Sequence, residues 1–195
     1  MDNVSDPDRM PNPVNLHPER KRAPPRPAAR CARSGLAIRS GLMNSSVQLS
    51  IRGDVERPAR LTLAELRSVM DAEVVADFYC REGWSRLGER WRGVRLRTLL
   101  ALAGAADAAG YVTVGCGDYS AVLTREQAED ERVLLALEHE GAVSPRDAGF
   151  PRLVGPSDWD CFLSVKSVDR IEVTRQSQQA TAATIALARL ERLAT

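Results

Sequence analysis

Apolar and polar residues alternate at Val47, Leu49 and Ile51 and the alternation stops at Gly53-Asp54, which predicts a half-buried strand ended by a turn. Leu61-Thr62-Leu63-Ala64-Glu65-Leu66 follows, with Thr62 placed as a helix N-cap and Glu65 three residues on to complete a capping box. A second period-2 run puts Val74, Ala76, Phe78 and Cys80 on one face and Val75, Asp77 and Tyr79 on the other, until Arg81-Glu82-Gly83 ends it. Trp91-Arg92-Gly93-Val94 then leads into Leu96, Leu99, Leu100 and Ala103, which recur at helical spacing ahead of Gly104. Strands are predicted over 111–115, 121–123, 132–137, 152–154 and 167–173, with a second capping box at Thr124 and Gln127. A polar loop with Gly141, Pro145, Gly149 and Pro151 precedes the last two strands. Residues 178–193, with Ile185, Leu187, Leu190 and Leu193 among alanines, read as an amphipathic helix. Short strands broken by short helices, without a regular strand-helix-strand rhythm, predict an α+β fold of mixed β-sheets.

Composition changes this picture at the N-terminus. Seven of the 11 prolines lie between Pro7 and Pro27, among arginines and few large apolar residues, so residues 1–46 cannot bury enough surface to fold. The expected organisation is a disordered tail over 1–46, a folded body over 47–175 and a C-terminal helix over 176–195. Translation from Met43 would leave most of the tail out of the protein. Arg20, Arg22, Arg26, Arg30, Arg33 and Arg39 offer phosphate contacts, but no aromatic residue interleaves them for base stacking, which argues against nucleic acid as a partner. No apolar stretch is long enough to cross a bilayer, and no secretory h-region is present, so a cytoplasmic protein with reduced thiols and no membrane partner is expected.

The candidate chemistry centres on Cys80. A thiol at a strand end is aimed by the strand yet reachable from a pocket, which suits a metal ligand or nucleophile, although a small buried hydrophobe is the alternative for any free cysteine. Cys31, Cys80, Cys116 and Cys161 lie too far apart in sequence for a zinc-ligand spacing. Cys161, within Trp159-Asp160-Cys161-Phe162, reads as packing, and Cys116 as structural or as a pocket wall. Trp84 and Trp91 could roof a cleft or fill the core. His139 reads as a surface strand residue, and with His17 in the tail no histidine pair is available for acid-base work.

Four segments in order resemble the oxidoreductase molybdopterin-binding domain, the catalytic fold of sulfite oxidase and of bacterial protein-methionine-sulfoxide reductase catalytic subunits. They are Tyr79-Cys80-Arg81-Glu82-Gly83-Trp84-Ser85; Trp91-Arg92-Gly93-Val94-Arg95-Leu96; Asp118-Tyr119-Ser120 followed by Leu134-Leu135-Ala136; and Gly149-Phe150-Pro151-Arg152-Leu153-Val154 with Ser164-Val165-Lys166 before Ile171-Glu172-Val173. The resemblance implies a molybdenum-molybdopterin cofactor with Cys80 as the protein's thiolate ligand to the metal, a bond that a soft anionic sulfur suits. It also implies oxygen-atom transfer to or from a small-molecule substrate of the oxyanion or sulfoxide class, and an external electron-transfer partner. Tyr119 corresponds to a catalytic tyrosine near the metal-bound oxygen, Arg152 to an arginine serving an anionic cofactor or substrate, and Lys166 to a lysine near the pterin phosphate. Asp118 joins them as a cofactor-binding residue.

The chain departs from the family pattern where Arg152 follows Pro151 directly, where Ser167 replaces an aromatic after Lys166, and where no glycine separates Asp118 from Tyr119. Those departures motivate a rival expectation, a cofactor-free domain of the same fold that binds a ligand or partner. Arginines around an open pocket would favour the enzyme; a collapsed or acidic pocket beneath Cys80 would favour the binding domain.

Overall fold

The computed structural model describes residues 49–81, 83–143 and 149–193. The tail expected over 1–46 with Cys31 and His17, the Val47 start of the first strand, Glu82 and the Pro145 part of the polar loop lie outside the described residues.

The architecture is α+β. Strand β1 (Leu49–Gly53) lies parallel to β10 (Arg170–Thr174), with Ile51 opposite Ile171, and antiparallel to β2 (Ala59–Leu61). The far side of β10 pairs antiparallel with β5 (Tyr111–Cys116), which forms a hairpin with β6 (Tyr119–Thr124). This gives a first sheet in the order β2-β1-β10-β5-β6. A second sheet joins β3 (Ala72–Tyr79) to β4 (Ser85–Arg95), β4 to β7 (Leu134–His139), and β7 to both β8 (Ala142–Val143) and β9 (Arg152–Val154).

Helix α1 (Leu63–Ser68) starts at the expected Thr62 capping box, and α3 (Arg125–Glu129) at the one formed by Thr124 and Gln127. Helix α2 (Leu96–Ala103) buries Leu96, Leu99, Leu100 and Ala103 and is closed by Gly104, whose φ of 64° falls in the left-handed region that glycine takes without strain. Helix α4 (Ala182–Leu193) follows Thr181, whose hydroxyl accepts from the Ser120 N–H at 2.9 Å while its own N–H donates to the Ser120 carbonyl at 3.1 Å. The start of α4 therefore occupies the open edge of β6.

Strand β7 explains how the site is placed. Its Leu135 and Leu137 join the main core with Leu49, Leu99, Val114 and Ile171, whereas Leu134 and Ala136 point the other way into a second cluster with Ala76, Trp91, Phe150 and Val154. A strand buried on both faces reads as an unbroken apolar run, as Leu134 to Leu137 does. Strand β4 extends well ahead of the expected Trp91–Val94 lead-in. Its inward positions Glu89, Trp91 and Gly93 alternate with exposed Arg90 and Arg92, and an inward glutamate hides that pattern from a hydropathy reading.

Candidate functional site

The second cluster is the floor of the site. Alternation along β3 puts Ala76 and Phe78 on this face, and Cys80 continues it one residue beyond the strand. The Cys80 N–H donates to the Trp84 carbonyl at 2.9 Å and the Cys80 carbonyl accepts from the Gly83 N–H at 2.9 Å, so the thiol sits in the tight turn joining β3 to β4. Phe78 and Trp84 stack across that turn with ring centroids 5.5 Å apart. On β9, Arg152 pairs with Ala136 and so faces the same way. Its guanidinium lies 4.9 Å from the Phe78 ring centroid and 5.5 Å from that of Trp91, and its Nε donates to Ser164 Oγ at 2.8 Å. Ser164 Oγ in turn donates to the Leu153 carbonyl at 2.9 Å.

A second thiol completes the group. Cys161 opens a 3-10 turn, Cys161–Leu163, capped by Asp160, whose Oδ1 accepts from the Phe162 N–H at 3.2 Å. The other carboxylate oxygen of Asp160 accepts from Arg81 Nε at 3.0 Å and pairs with Arg81 Nη2, and the same guanidinium lies 5.0 Å from the Phe162 ring centroid. This clamp fastens residue 81 to residues 160–162 and brings the two cysteines beside one another, their thiols hydrogen-bonded. The bond from Cys80, together with one from the Arg81 backbone N–H, lowers the Cys161 thiol to about 7, against burial and the Asp160 charge, which raise it. One thiol of the pair thus carries charge readily near neutral pH.

Arginines stand beside the thiols as well as Asp160. Arg152 meets solvent over part of its surface, yet protein surrounds it closely enough that burial, and then the neighbouring Arg86, lower it to about 10. Cys80, Cys161 and Tyr119 act in the opposite direction, and the guanidinium stays protonated at neutral pH. Burial, then Cys161, pushes the Tyr119 phenol up to about 12, so it remains a hydrogen-bond donor, and it donates to the Phe162 carbonyl at 2.9 Å. The structure therefore gathers Cys80 from the turn after β3, Arg152 from β9 and Tyr119 from β6 around Cys161.

Lys166 and Asp118 are set differently. Lys166 is exposed, its methylenes against Gly149, and Asp118 is exposed in the β5–β6 turn, where its carbonyl accepts from Thr181 Oγ1 at 2.5 Å. Cys116 is buried in the main core and disulfide-bonded, which corrects the expectation of wholly reduced thiols. His139 is not a plain surface residue: it stacks on Trp91 with centroids 4.2 Å apart and pairs with the buried Glu89 carboxylate. Glu140 adds a third ligand-type atom to these two within 4.8 Å, but it already accepts from the Arg90 N–H at 2.8 Å. Next to the thiols is a cavity of about 30 Å³ lined by Phe78, Trp91, Val154, Trp159, Cys161 and Ser164. That volume holds a water-sized group.

Residues 38–182 match the oxidoreductase molybdopterin binding domain. The chain belongs to that family. It is 32% identical over 104 residues to the uncharacterized oxidoreductase YuiH of Bacillus subtilis (strain 168), covering 53% of this chain and 52% of that protein. The chain thus spans about half the length of this curated relative. Its fold matches the crystal structure of the sulfane dehydrogenase SoxCD from Paracoccus pantotrophus with a TM-score of 0.62 and 23% identity, over 73% of this chain and 41% of that one. This likeness agrees with the α+β architecture. Among the described residues no helix is long and apolar enough to cross a membrane.

The donor set fits the cofactor this family is named for. Two soft sulfurs are available to a thiophilic metal, and Arg152 commits only Nε to a hydrogen bond among the described residues, leaving its two Nη groups for an anion. Sequence reading missed Cys161 and the Arg81–Asp160 clamp. Nothing local signals them, because Cys80 and Cys161 lie on distant segments whose meeting depends on the second sheet.

Proposed function

We propose that this domain is a molybdopterin-dependent oxidoreductase that carries out oxygen-atom transfer on a small oxyanion or sulfoxide, with Cys80 as the thiolate ligand of molybdenum. The observation that carries the reading is a strand-end thiol beside Arg152, a cation held between aromatic rings whose two Nη groups have no hydrogen-bond partner among the described residues. When bound, the cofactor supplies the dithiolene sulfurs and the two-electron couple. The β3–β4 turn fixes the direction of Cys80, and Arg152 orients an anionic oxygen with a planar fork. Tyr119 holds the turn bearing Cys161 and keeps a protonated phenol in the site. Lys166 serves the pterin phosphate as a point charge, with Asp118 as a further cofactor contact. The electrons pass to an external partner, and a cytoplasmic location is part of the same proposal.

A second reading, a cofactor-free binding domain of the same fold, is favoured by one observation: the cavity of about 30 Å³ is far smaller than a pterin. Elemental analysis of chain purified from a cofactor-making host, with Cys80→Ser beside it, separates the two. Near-stoichiometric molybdenum is expected in the wild type, falling roughly tenfold or more in the variant, at least the scale of losing a supporting residue at a metal site. Absence of metal from both proteins would leave the binding domain as the better account.

A further inference from the structure

We propose that His139 is a positioning residue for Arg152, acting through the Trp91 ring against which the guanidinium rests. The inference deepens, and rests on, the reading of Arg152 as the group that orients an anionic oxygen. Trp91 on β4 lies opposite His139 on β7, so the two side chains share one face of the second sheet. Their rings stack with centroids 4.2 Å apart and planes 26° from parallel. The imidazole is itself fixed. Its Nε2 pairs with the carboxylate of Glu89, which stands two residues before Trp91 on the same strand and is only 9% exposed. Arg86 Nη1 lies 3.8 Å from the same carboxylate oxygen. Swinging the imidazole off the indole would take a hydrogen-bond partner from a buried carboxylate, which is costly. Trp91, 4% exposed, has the Phe150 ring centroid 6.1 Å away and Arg152 Cζ 5.5 Å away. Few contacts place Arg152 in turn: the Phe78 and Trp91 rings, and the Nε–H donated to Ser164 Oγ. A tilt of the indole therefore moves the cation beside it and redirects the two Nη groups. His139 combines a flat ring for Trp91 with a nitrogen for Glu89, which neither a glutamine nor a phenylalanine does.

The experiment follows the Arg152 Nε–H signal by nuclear magnetic resonance in the isotope-labelled full chain, assigned by its loss in Arg152→Lys. Aromatic rings displace the signal of a proton held against their faces, so Arg152 is expected to resonate away from the exposed arginines. A wild-type signal at the ordinary position would overturn the proposal, whatever the variants do. His139→Gln keeps a donor for Glu89 and removes the stacked ring, whereas His139→Phe keeps a ring and removes the donor. Arg152 is expected to lose most of its displacement in His139→Gln and to keep most of it in His139→Phe. The reverse order, or an unchanged signal in His139→Gln beside a lowered Tm, would show that His139 serves only Glu89 and the packing around it. Should the phenylalanine variant fail to fold, the glutamine variant decides alone. Inorganic sulfate is then titrated onto the metal-free chain with the Arg152 signal as reporter. Its Kd is expected to rise about 2- to 10-fold in His139→Gln, the scale of one cation–π contact, and an equal Kd in both proteins refutes control of the anion fork. Sulfate that leaves the wild-type signal unmoved would sink the anion-orienting role of Arg152, while the His139→Gln shift would still establish its placement by His139.

Discussion

Arg152 keeps its charge where burial and Arg86 both oppose it, because Phe78 and Trp91 present ring faces and the thiols supply negative charge. Arg152→Ala is expected to weaken oxyanion binding about 10- to 100-fold, the equivalent of ~1.5–3 kcal/mol for hydrogen bonds to a charged group. Arg152→Lys should restore little of it, since an ammonium does not present a fork. KM or inhibition by an oxyanion is the measurement, and an unchanged value beside a lowered Tm would make the residue purely structural. The thiol pair gives a second prediction. In the metal-free chain, alkylation of Cys161 should rise with pH through a midpoint near 7, because only the thiolate reacts and the Cys80 and Arg81 donors favour it. Cys80→Ala removes the first donor, so the midpoint should move up toward the ordinary thiol range; a fixed midpoint would show that Cys80 does not set it. At this scale the sequence showed Cys80 by its place at the end of an alternating run, whereas the partnership with Cys161 was hidden in an aromatic-flanked segment.

Elements position these residues through short-range rules that work well in some places and fail in others. Both capping boxes and the Gly104 stop were legible because each depends on residues three or four apart. Strand β4 was not, because Glu89 occupies an inward position that its pairing with His139 and Arg86 makes tolerable. The loop after β9 is a third case. A Cβ added at Gly155 would lie 2.4 Å from the Trp159 ring, so the glycine lets that ring close the wall of the cavity. Gly155→Ala is expected to lower stability by ~1–3 kcal/mol through overpacking and to alter tryptophan emission. Thermal unfolding and fluorescence check this, and a variant identical in both would place the Trp159 ring elsewhere.

Across the whole molecule, pairing of β1 with β10 joins segments about 120 residues apart and locks the first sheet around the main core. Strand β7 of the second sheet is buried on both faces, and the site forms on the side that the main core does not use. Helix α4 guards the edge of β6 through Thr181 and brings Arg189 near enough to Tyr119 to oppose the rise of its pKa. Deleting residues 177–195 is therefore expected to expose a strand edge and promote self-association, read by size-exclusion chromatography or light scattering. A truncated chain that stays monomeric would show that the edge needs no cover.

Taken alone, the sequence determined the α+β class, most helix boundaries, the face on which Cys80 lies and the family resemblance, because these rest on period, capping chemistry and motif order. Tertiary structure alone decided that Cys161 meets Cys80, that Arg152 sits between Phe78 and Trp91, and that His139 pairs with a buried glutamate. Those contacts join residues that are distant in the chain, and only strand pairing in the second sheet, with the Arg81–Asp160 clamp, sets their separation. Periodicity tells which face a residue occupies; it carries no information about which distant residue shares that face.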